Sequence, residues 1–269
     1  MLHVNHLIGF GAGRNGGALS NVISGLGLTG NLKLCLDAGD AASYTSGQPW
    51  LDRSGNGYDF NRGSGSGTDA ADPTFNGAAG SLGANEYFSF DGGDYLTYDS
   101  ANETWMQNLH KDNALATFVG WVYLSTPGTA QRLLGTRGSA TSHTGIIVAI
   151  NSNLFWVATN SGSNALVATS AGTLPTTTWC MAAISIDEAA GAGASIFFIN
   201  GATETFDGTY ASPASGNASY TMNIGAGGNG DNPLPGGSRV GMLAMWEGRA
   251  LTAGQLNQIY QATRGRYGV

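Results

Sequence analysis

The segment Leu32-Lys33-Leu34-Cys35-Leu36-Asp37 has an apolar residue at every second position. Successive side chains of a β-strand point to opposite faces of a sheet, so Leu32, Leu34 and Leu36 share one face. A turn-rich segment follows at residues 52–57, and its Asn-Gly pair tolerates the positive φ angles of a tight turn. These features predict a half-buried β-strand that leads into a loop.

Short segments with strand character recur along the rest of the chain. Each is bounded by Gly, Asn, Asp, Ser or Pro, and they are residues 87–90, 95–98, 116–124, 132–136, 145–150, 153–159, 165–169, 179–187, 194–200, 220–225 and 239–247. Many short strands separated by such turns are typical of a sandwich or barrel, whereas alternating strands and helices are not evident. We therefore predict an all-β domain.

One helix is predicted close to the C-terminus. Thr252-Ala253-Gly254-Gln255 matches a capping box, with Thr252 as the N-cap. Leu256, Ile259 and Tyr260 then form one apolar face, which predicts packing against the sandwich. The helix is expected to end near Gly265.

Composition and charge exclude several classes of protein. The 269 residues carry a formal net charge of −7, and the 11 Lys and Arg are scattered rather than clustered, which argues against binding of nucleic acid. No apolar run approaches the ~20 residues of a membrane helix, so we expect no membrane insertion. The first ten residues lack the basic region and cleavage site of a secretory signal.

Residues 1–30 differ from the rest of the chain. They contain eight glycines, one charged residue (Arg14) and apolar residues that include Leu7, Ile8 and Phe10 beside His6. Such a segment is ordered only if it packs on its own domain or on a partner chain, and we favour a partner. We predict an anchoring arm, residues 1–30, ahead of one domain, residues 31–269.

The two cysteines, Cys35 and Cys180, lie far apart in apolar, strand-like segments. A disulfide between adjacent strands is compatible with the sequence. Two buried free thiols in a protein made in a reducing cytoplasm are the favoured interpretation.

The sequence lacks the usual catalytic patterns. The segment GSGSG at residues 63–67 has the spelling of a nucleophile elbow, but it stands in a loop-like stretch rather than between a strand and a helix. No histidine pair has helical metal spacing, and His110 and His143 stand in polar segments. Asp187 and Glu188 are adjacent and would point to opposite faces of a strand, so we interpret them as a solvated strand end.

Six short motifs occur in a fixed order along the chain. They are FDGGDYL at 90–96, GWV at 120–122 followed by LLG at 133–135, the apolar segment that starts at Trp179, FFING at 197–201, NIG at 223–225 and WEGRALT at 246–252. With this order, residues 31–269 resemble the concanavalin A-like lectin/glucanase superfamily, in particular its laminin-G-like branch. The resemblance implies a jelly-roll sandwich of two antiparallel sheets with a short C-terminal helix, here behind an extended N-terminal arm.

The same resemblance bears on function. Glucanases of the superfamily carry Glu-x-Asp-x-x-Glu on one strand, and none of the five glutamates begins that pattern. Segments 34–40, 50–57 and 264–268 are similar to versions encoded by tailed bacteriophages. The expectation is a non-enzymatic virion protein, made in the host cytoplasm and acting as a capsid decoration, tail or fibre component. Its arm would dock to other virion proteins, its lectin-like domain would bind a cell-surface glycan, and a homo-oligomer is compatible with that role.

Members of the branch often bind glycans or proteins at a loop rim that holds Ca²⁺. The segment 227–232 is the best rim candidate, because Asp231 and Asn229 offer the oxygen ligands that calcium prefers. Besides these two residues, Trp105 and Trp156 are candidate glycan-binding residues, since aromatic rings stack on sugars, and Trp105 in its polar stretch is the least core-like.

The alternative is a polysaccharide-degrading glycoside hydrolase or lyase of the same fold. It would use an unrecognised carboxylate pair such as Asp94 with Glu247. Such a pair must approach to within about 5–10 Å across a cleft.

Overall fold

The computed structural model describes residues 17–111, 113–126, 131–140, 142–151, 154–161, 163–188, 195–204, 206–210 and 215–269. Its helices are α1 (Leu19–Gly25), α2 (Thr104–Asn108) and α3 (Ala253–Tyr267). Its strands are β1 (Leu32–Asp37), β2 (Pro49–Trp50), β3 (Phe60–Arg62), β4 (Thr74–Asn76), β5 (Tyr87–Ser89), β6 (Leu96–Tyr98), β7 (Leu115–Tyr123), β8 (Gln131–Gly135), β9 (Gly145–Asn151), β10 (Leu154–Ser161), β11 (Ser163–Thr173), β12 (Trp179–Asp187), β13 (Ile196–Ile199), β14 (Ala202–Glu204), β15 (Phe206–Tyr210), β16 (Asn223–Ile224) and β17 (Arg239–Glu247).

The strands form two sheets, and the pairs between named strands are antiparallel. Sheet A has the order β14-β13-β12-β7-β17-β5-β4, with β1 also paired to β17. Sheet B has the order β15-β11-β10-β9-β8-β16-β6-β3-β2. Their facing side chains form the main core, which includes Phe88, Phe118, Val148, Phe197 and Leu243. The predicted sandwich of two antiparallel sheets is confirmed.

The central strands of sheet A, β12, β7 and β17, are buried on both faces of the sheet. Along β7, Phe118 and Val122 point into the main core, while Val119 and Trp121 belong to a second apolar cluster on the other face, called the outer cluster below. Burial on both faces explains why β7, β12 and β17 are continuous apolar runs rather than alternating ones.

The outer cluster is covered by α1 and α3. Leu19, Ile23 and Leu28 pack there, and the indole nitrogen of Trp246 donates a hydrogen bond to the carbonyl of Leu28 at 2.7 Å. Residues 17–30 therefore belong to the domain, which corrects the expectation that the whole of residues 1–30 docks on a partner chain. His6, Leu7, Ile8 and Phe10 lie outside the described residues.

Helix α3 begins as the sequence predicts. The Thr252 hydroxyl accepts from the Gln255 amide, and the Gln255 side chain accepts from the Thr252 amide, so the capping box is present. The helix continues through Gly265 to Tyr267 and ends at Gly268, whose φ of 73° is the left-handed geometry that glycine adopts at little cost. The predicted end was three residues short of this cap, because Tyr267 still packs in the outer cluster.

The two cysteines are free and buried, which confirms the prediction of two buried free thiols. Cys35 belongs to the outer cluster and Cys180 to the main core, so sheet A lies between them. Within the part of the chain that the structure describes, no helix is both long and apolar enough to cross a membrane.

Candidate functional site

A groove runs along one edge of the sandwich, between α2 and the end of β17. Two depressions, of about 360 and 310 Å³, share Asn108 and Glu247 and so form one groove. Each volume falls in the range of small-ligand sites. The groove is lined by amide, carboxylate, ammonium and aromatic side chains together with backbone: Lys33, Tyr58, Glu103, Thr104, Trp105, Asn108, Leu109, Lys111, Asn113, Ala114, Leu115, Glu247 and Gly248.

The charged groups of the groove are held by neighbours. The Lys33 ammonium lies 3.5 Å from a Glu247 oxygen, and both side chains are about one-third exposed. The Tyr98 hydroxyl donates to Glu103 at 2.9 Å, and Lys111 donates to the Asn217 side chain at 2.8 Å. The groove therefore presents donors and acceptors of both charge signs at fixed positions, which suits a ligand rich in hydroxyl groups.

Trp105 is not the exposed ring that its polar stretch predicted. It is 4% exposed, belongs to the main core and packs 5.6 Å from the Tyr58 ring. Its neighbours Met106 and Leu109 are also buried, because α2 turns this apolar side toward the sandwich. Trp105 is one of the residues that line the groove, but its ring is buried and therefore not free to stack on a sugar.

The loop 227–232 packs against the loop after β8, and the side chains that meet there are called the rim: Arg132, Arg137, Ser139, Asn229 and Asp231. Arg132 forms an ion pair with one oxygen of Asp231. The Ser139 amide donates to the other oxygen at 2.6 Å, and the Ser139 hydroxyl bonds to the same atom. The Asn229 amide lies 2.9 and 3.1 Å from the two oxygens, in the orientation in which its nitrogen donates to them.

The rim does not fit a calcium ion. Calcium takes six to eight oxygen ligands, and carboxylates supply most of its charge compensation. Here Asp231 already accepts from Arg132, Ser139 and Asn229. A cation at Asp231 would also stand against the Arg132 guanidinium. Among the described residues, no three His, Cys, Asp or Glu gather in the manner of a metal site. The predicted calcium ligation by Asp231 and Asn229 is therefore corrected.

Arg137 is the second buried guanidinium of the rim. It is 4% exposed, as is Arg132. Burial, followed by the nearby charge of Arg132, lowers the pKa of Arg137 to about 10, and Asp231 opposes this shift. Two buried guanidinium groups thus share the single carboxylate of Asp231.

Trp156, the other predicted aromatic ligand, lies in β10. The strand register pairs Trp156 with Ala149 of β9, and Ala149 in turn pairs with Arg132 of β8. Adjacent strands are about 4.8 Å apart, so positions 156 and 132 stand about 10 Å apart across sheet B. Trp156, which the sequence proposed as a glycan-binding residue, therefore stands in the same cross-strand row of sheet B as Arg132 of the rim.

The predicted pair Asp94 and Glu247 is not brought together. Glu247 is the last residue of the nine-residue β17. Asp94 bonds to the Asp91 amide in the turn after Phe90, and the Phe90 amide bonds to Ser238, the residue directly before β17. A strand of this length spans about 26 Å, so the two carboxylates lie near its opposite ends and the predicted pairing is wrong. Glu103, which the sequence did not suggest as a partner, lines the groove with Glu247 instead.

Solved structures with a similar fold include proteins of different activity. The chain matches the binding domain of botulinum neurotoxin DC in complex with SialylT, with a TM-score of 0.57 and 11% identity over 87% of this chain and 52% of that one. A structure of botulinum neurotoxin type C, whose cell entry depends on interaction with two ganglioside molecules, also matches at a TM-score of 0.57 and 11% identity, over 88% and 52% of the two chains.

Trypanosoma rangeli sialidase in complex with sialic acid matches with a TM-score of 0.55 and 12% identity, over 86% of this chain and 33% of that one. The chain therefore spans about one third of the sialidase and about half of the toxin chains. Identities this low show a shared fold and nothing more.

A comparison with curated protein sequences finds no match. Residues 90–257, more than half of the chain, match the sequence model of Laminin_G_3, which covers β6 to β17 and the first turn of α3. The chain therefore belongs to the Laminin_G_3 family of the concanavalin A-like lectin/glucanase superfamily.

Proposed function

We propose that this protein binds a glycan without cleaving it, as the lectin-like surface domain of a bacteriophage virion. The observation that carries the glycan part is the groove between α2 and β17, where Asn108 and Glu247 line both depressions. Sugars present many hydroxyl groups, and fixed amides, carboxylates and ammonium groups can satisfy them as donors and acceptors.

The similar structures support a glycan as the ligand class. One of them is a toxin binding domain in complex with SialylT, another is a toxin whose cell entry depends on gangliosides, and a third is a sialidase with bound sialic acid. Sequence identity to these proteins is 11–12%, so no residue role is transferred from them. The groove itself has to be tested.

The test is glycan binding by the full chain and by two matched variants. We expect Asn108→Ala to weaken binding of the best glycan on an array about tenfold. The substitution removes the side-chain amide that lines both depressions, and with it the hydrogen bonds of that amide to the glycan. Asn257→Ala, the same change on α3, should leave binding unchanged. Equal binding by both variants would place the glycan elsewhere, and no binding to any glycan would contradict the proposed function.

The virion location rests on the phage-like segments 34–40, 50–57 and 264–268. The arm would then dock on another virion protein through residues that precede α1. Antibody labelling of purified particles tests this location: we expect label on the particle surface, and label confined to unassembled protein would contradict it.

A hydrolase is the second candidate, because Glu103 and Glu247 line one groove. A glycosidase needs two carboxylates on either side of the scissile bond. Here Glu247 pairs with Lys33, and Glu103 accepts from Tyr98. Reducing-end release from the bound glycan, lost in Glu247→Gln with binding retained, would establish this candidate. Binding without release supports the non-enzymatic function.

A further inference from the structure

The rim carries more buried positive than negative charge. Arg132 and Arg137 are each 4% exposed, and the carboxylate that approaches them among the described residues is that of Asp231. Arg132 uses its guanidinium on Asp231, on the Ser139 hydroxyl and on the Arg137 carbonyl. Among the described residues, the charge of Arg137 is therefore left without a counter-ion of its own.

The guanidinium of Arg137 is also short of hydrogen-bond acceptors. Its Nε donates to the Gly138 carbonyl at 3.1 Å, whereas the buried Nη1 has no partner among the described residues. A buried, unpaired donor on a charged group destabilises a fold, and native proteins rarely keep one without a reason. The retention of an arginine whose burial destabilises the fold points to a ligand that supplies the missing hydrogen-bond acceptor and negative charge.

The rim opens to solvent on the side of Asn229 and Ser139. Both residues are exposed, and the Asp231 side chain, which bridges them, is 25% exposed. Asp231, Asn229 and Ser139 thus form a thin polar layer above the two guanidinium groups. This exposed side is therefore the one from which a carboxylate would approach Arg137.

We propose that Arg137, with Arg132 beside it, forms a carboxylate-binding subsite that receives an acidic sugar residue of the glycan. The inference rests on the proposed glycan binding and adds the substrate class. The fork of N–H donors on a guanidinium matches the two oxygens of a carboxylate. The uncompensated charge at the rim corresponds to one unit, which a carboxylate balances. A phosphate monoester, with a charge of about −1.5 to −2, would exceed it. A divalent cation would add to the imbalance.

The test compares methyl glucuronide with methyl glucoside, two sugars that differ in the carboxylate. We expect calorimetric titration of the full chain to show about tenfold tighter binding of the glucuronide, as charge-assisted hydrogen bonds predict. In Arg137→Gln the two sugars should bind equally. Arg249→Gln is the matched control, since the Arg249 guanidinium donates through Nη1 to the Gly30 carbonyl, as Arg137 donates through Nε to Gly138, and it should keep the preference.

Competition and stability supply the remaining measurements. Acetate should compete with the glucuronide more strongly than inorganic phosphate does, and stronger competition by phosphate would overturn the carboxylate assignment. Arg137→Gln should be at least as stable as the native chain without ligand, because it removes an uncompensated buried charge. If that variant unfolds at a lower temperature, Arg137 has a structural role and the proposal fails.

The two proposals fail in different ways. Binding of neither sugar nor any larger glycan contradicts the proposed function. Binding of the glucoside with no preference for the glucuronide, or a preference that survives Arg137→Gln, contradicts the carboxylate subsite alone.

Discussion

The carboxylate of Asp37 and the guanidinium of Arg266 form an ion pair that is closed to solvent: Nη1 lies 2.8 Å from Oδ1 and 3.0 Å from Oδ2, and the side chains are 1% and 0% exposed. Asp37 also accepts from the amides of Leu19 and Gly39, each at 2.9 Å. One carboxylate at the end of β1 thus holds the first turn of α1 and the last turn of α3, the two helices that cover sheet A.

Removing Arg266 should therefore destabilise the whole domain. Arg266→Met leaves the Asp37 charge buried without its partner, and we expect the free energy of unfolding to fall by about 3–5 kcal/mol. Urea denaturation followed by tryptophan fluorescence measures the change. Arg264→Met, on the exposed side of the same helix, is the control and should cost less than about 1 kcal/mol. Similar losses in both variants would show that the pair does not hold the helices.

Two truncations separate the part of the N-terminal region that folds on the domain from the part that precedes it. Deletion of residues 1–30 removes Leu19, Ile23 and Leu28 from the outer cluster and takes away the acceptor of the Trp246 indole. Each fully buried aliphatic side chain contributes about 1.5–3 kcal/mol, so we expect a loss of several kcal/mol in thermal unfolding. Deletion of residues 1–16 should leave the unfolding temperature unchanged.

The same truncation tests the anchoring role. If residues 1–16 dock on another chain, light scattering should show assembly or aggregation for the full chain and a monomer for residues 17–269. A monomer in both cases would count against an arm that binds a partner.

The two thiols should be inert in the folded protein. Burial raises the pKa of Cys180 to about 12 and that of Cys35 well above its usual value, with nearby Asp37 adding to the shift at Cys35. Since the thiolate is the reactive form, we expect no reaction of either cysteine with a thiol reagent in native buffer and two equivalents reacting in denaturant. Fewer than two in denaturant without reductant would indicate a disulfide.

Much of the fold is predictable from the sequence because apolar strands and turn residues follow local rules. β1, β12 and β17 have their predicted limits, and the capping box of α3 depends on four consecutive residues. α1 escapes prediction because its N-cap is Ala18, with no side-chain cap, and its Leu19 and Ile23 are buried in the outer cluster among residues distant in the chain. Two-residue strands such as β2 and β16 are too short to show a sequence period, and they are defined by their pairing with neighbouring strands.

The candidate sites are less predictable, because they depend on which loops meet. The sequence offered the loop 227–232 as a rim that holds calcium, and it could not reveal that Arg132, about a hundred residues earlier, pairs with Asp231. One sequence signal pointed to Arg132. The chain has only 11 Lys and Arg, and Arg132 is one of them that falls within a predicted strand, residues 132–136. Glu188, expected at a solvated strand end, is 1% exposed and accepts a hydrogen bond from the Ala114 amide at 3.3 Å, just before β7.

Asp94 should make the stability of the domain depend on pH. It is 4% exposed, and burial raises its pKa to about 6, with the nearby charge of Asp91 contributing. Between about pH 4 and pH 6 the folded protein therefore keeps a proton on Asp94 that the unfolded chain releases. Folding binds a proton in this window, so the contribution of Asp94 falls as the pH rises and is lowest above pH 6.

Asp94→Asn removes this penalty and keeps an oxygen that can accept from the Asp91 amide, as Asp94 does at 2.8 Å. We expect the variant to be more stable than the native chain by about 1–2 kcal/mol at pH 7.5 and equally stable at about pH 2.5, where Asp94 is protonated in both folded and unfolded chains. Urea denaturation at a series of pH values measures the difference. Glu204→Gln on β14 controls for the loss of one negative charge. A difference between Asp94→Asn and the native chain that is the same at every pH would show that folding does not shift the pKa of Asp94.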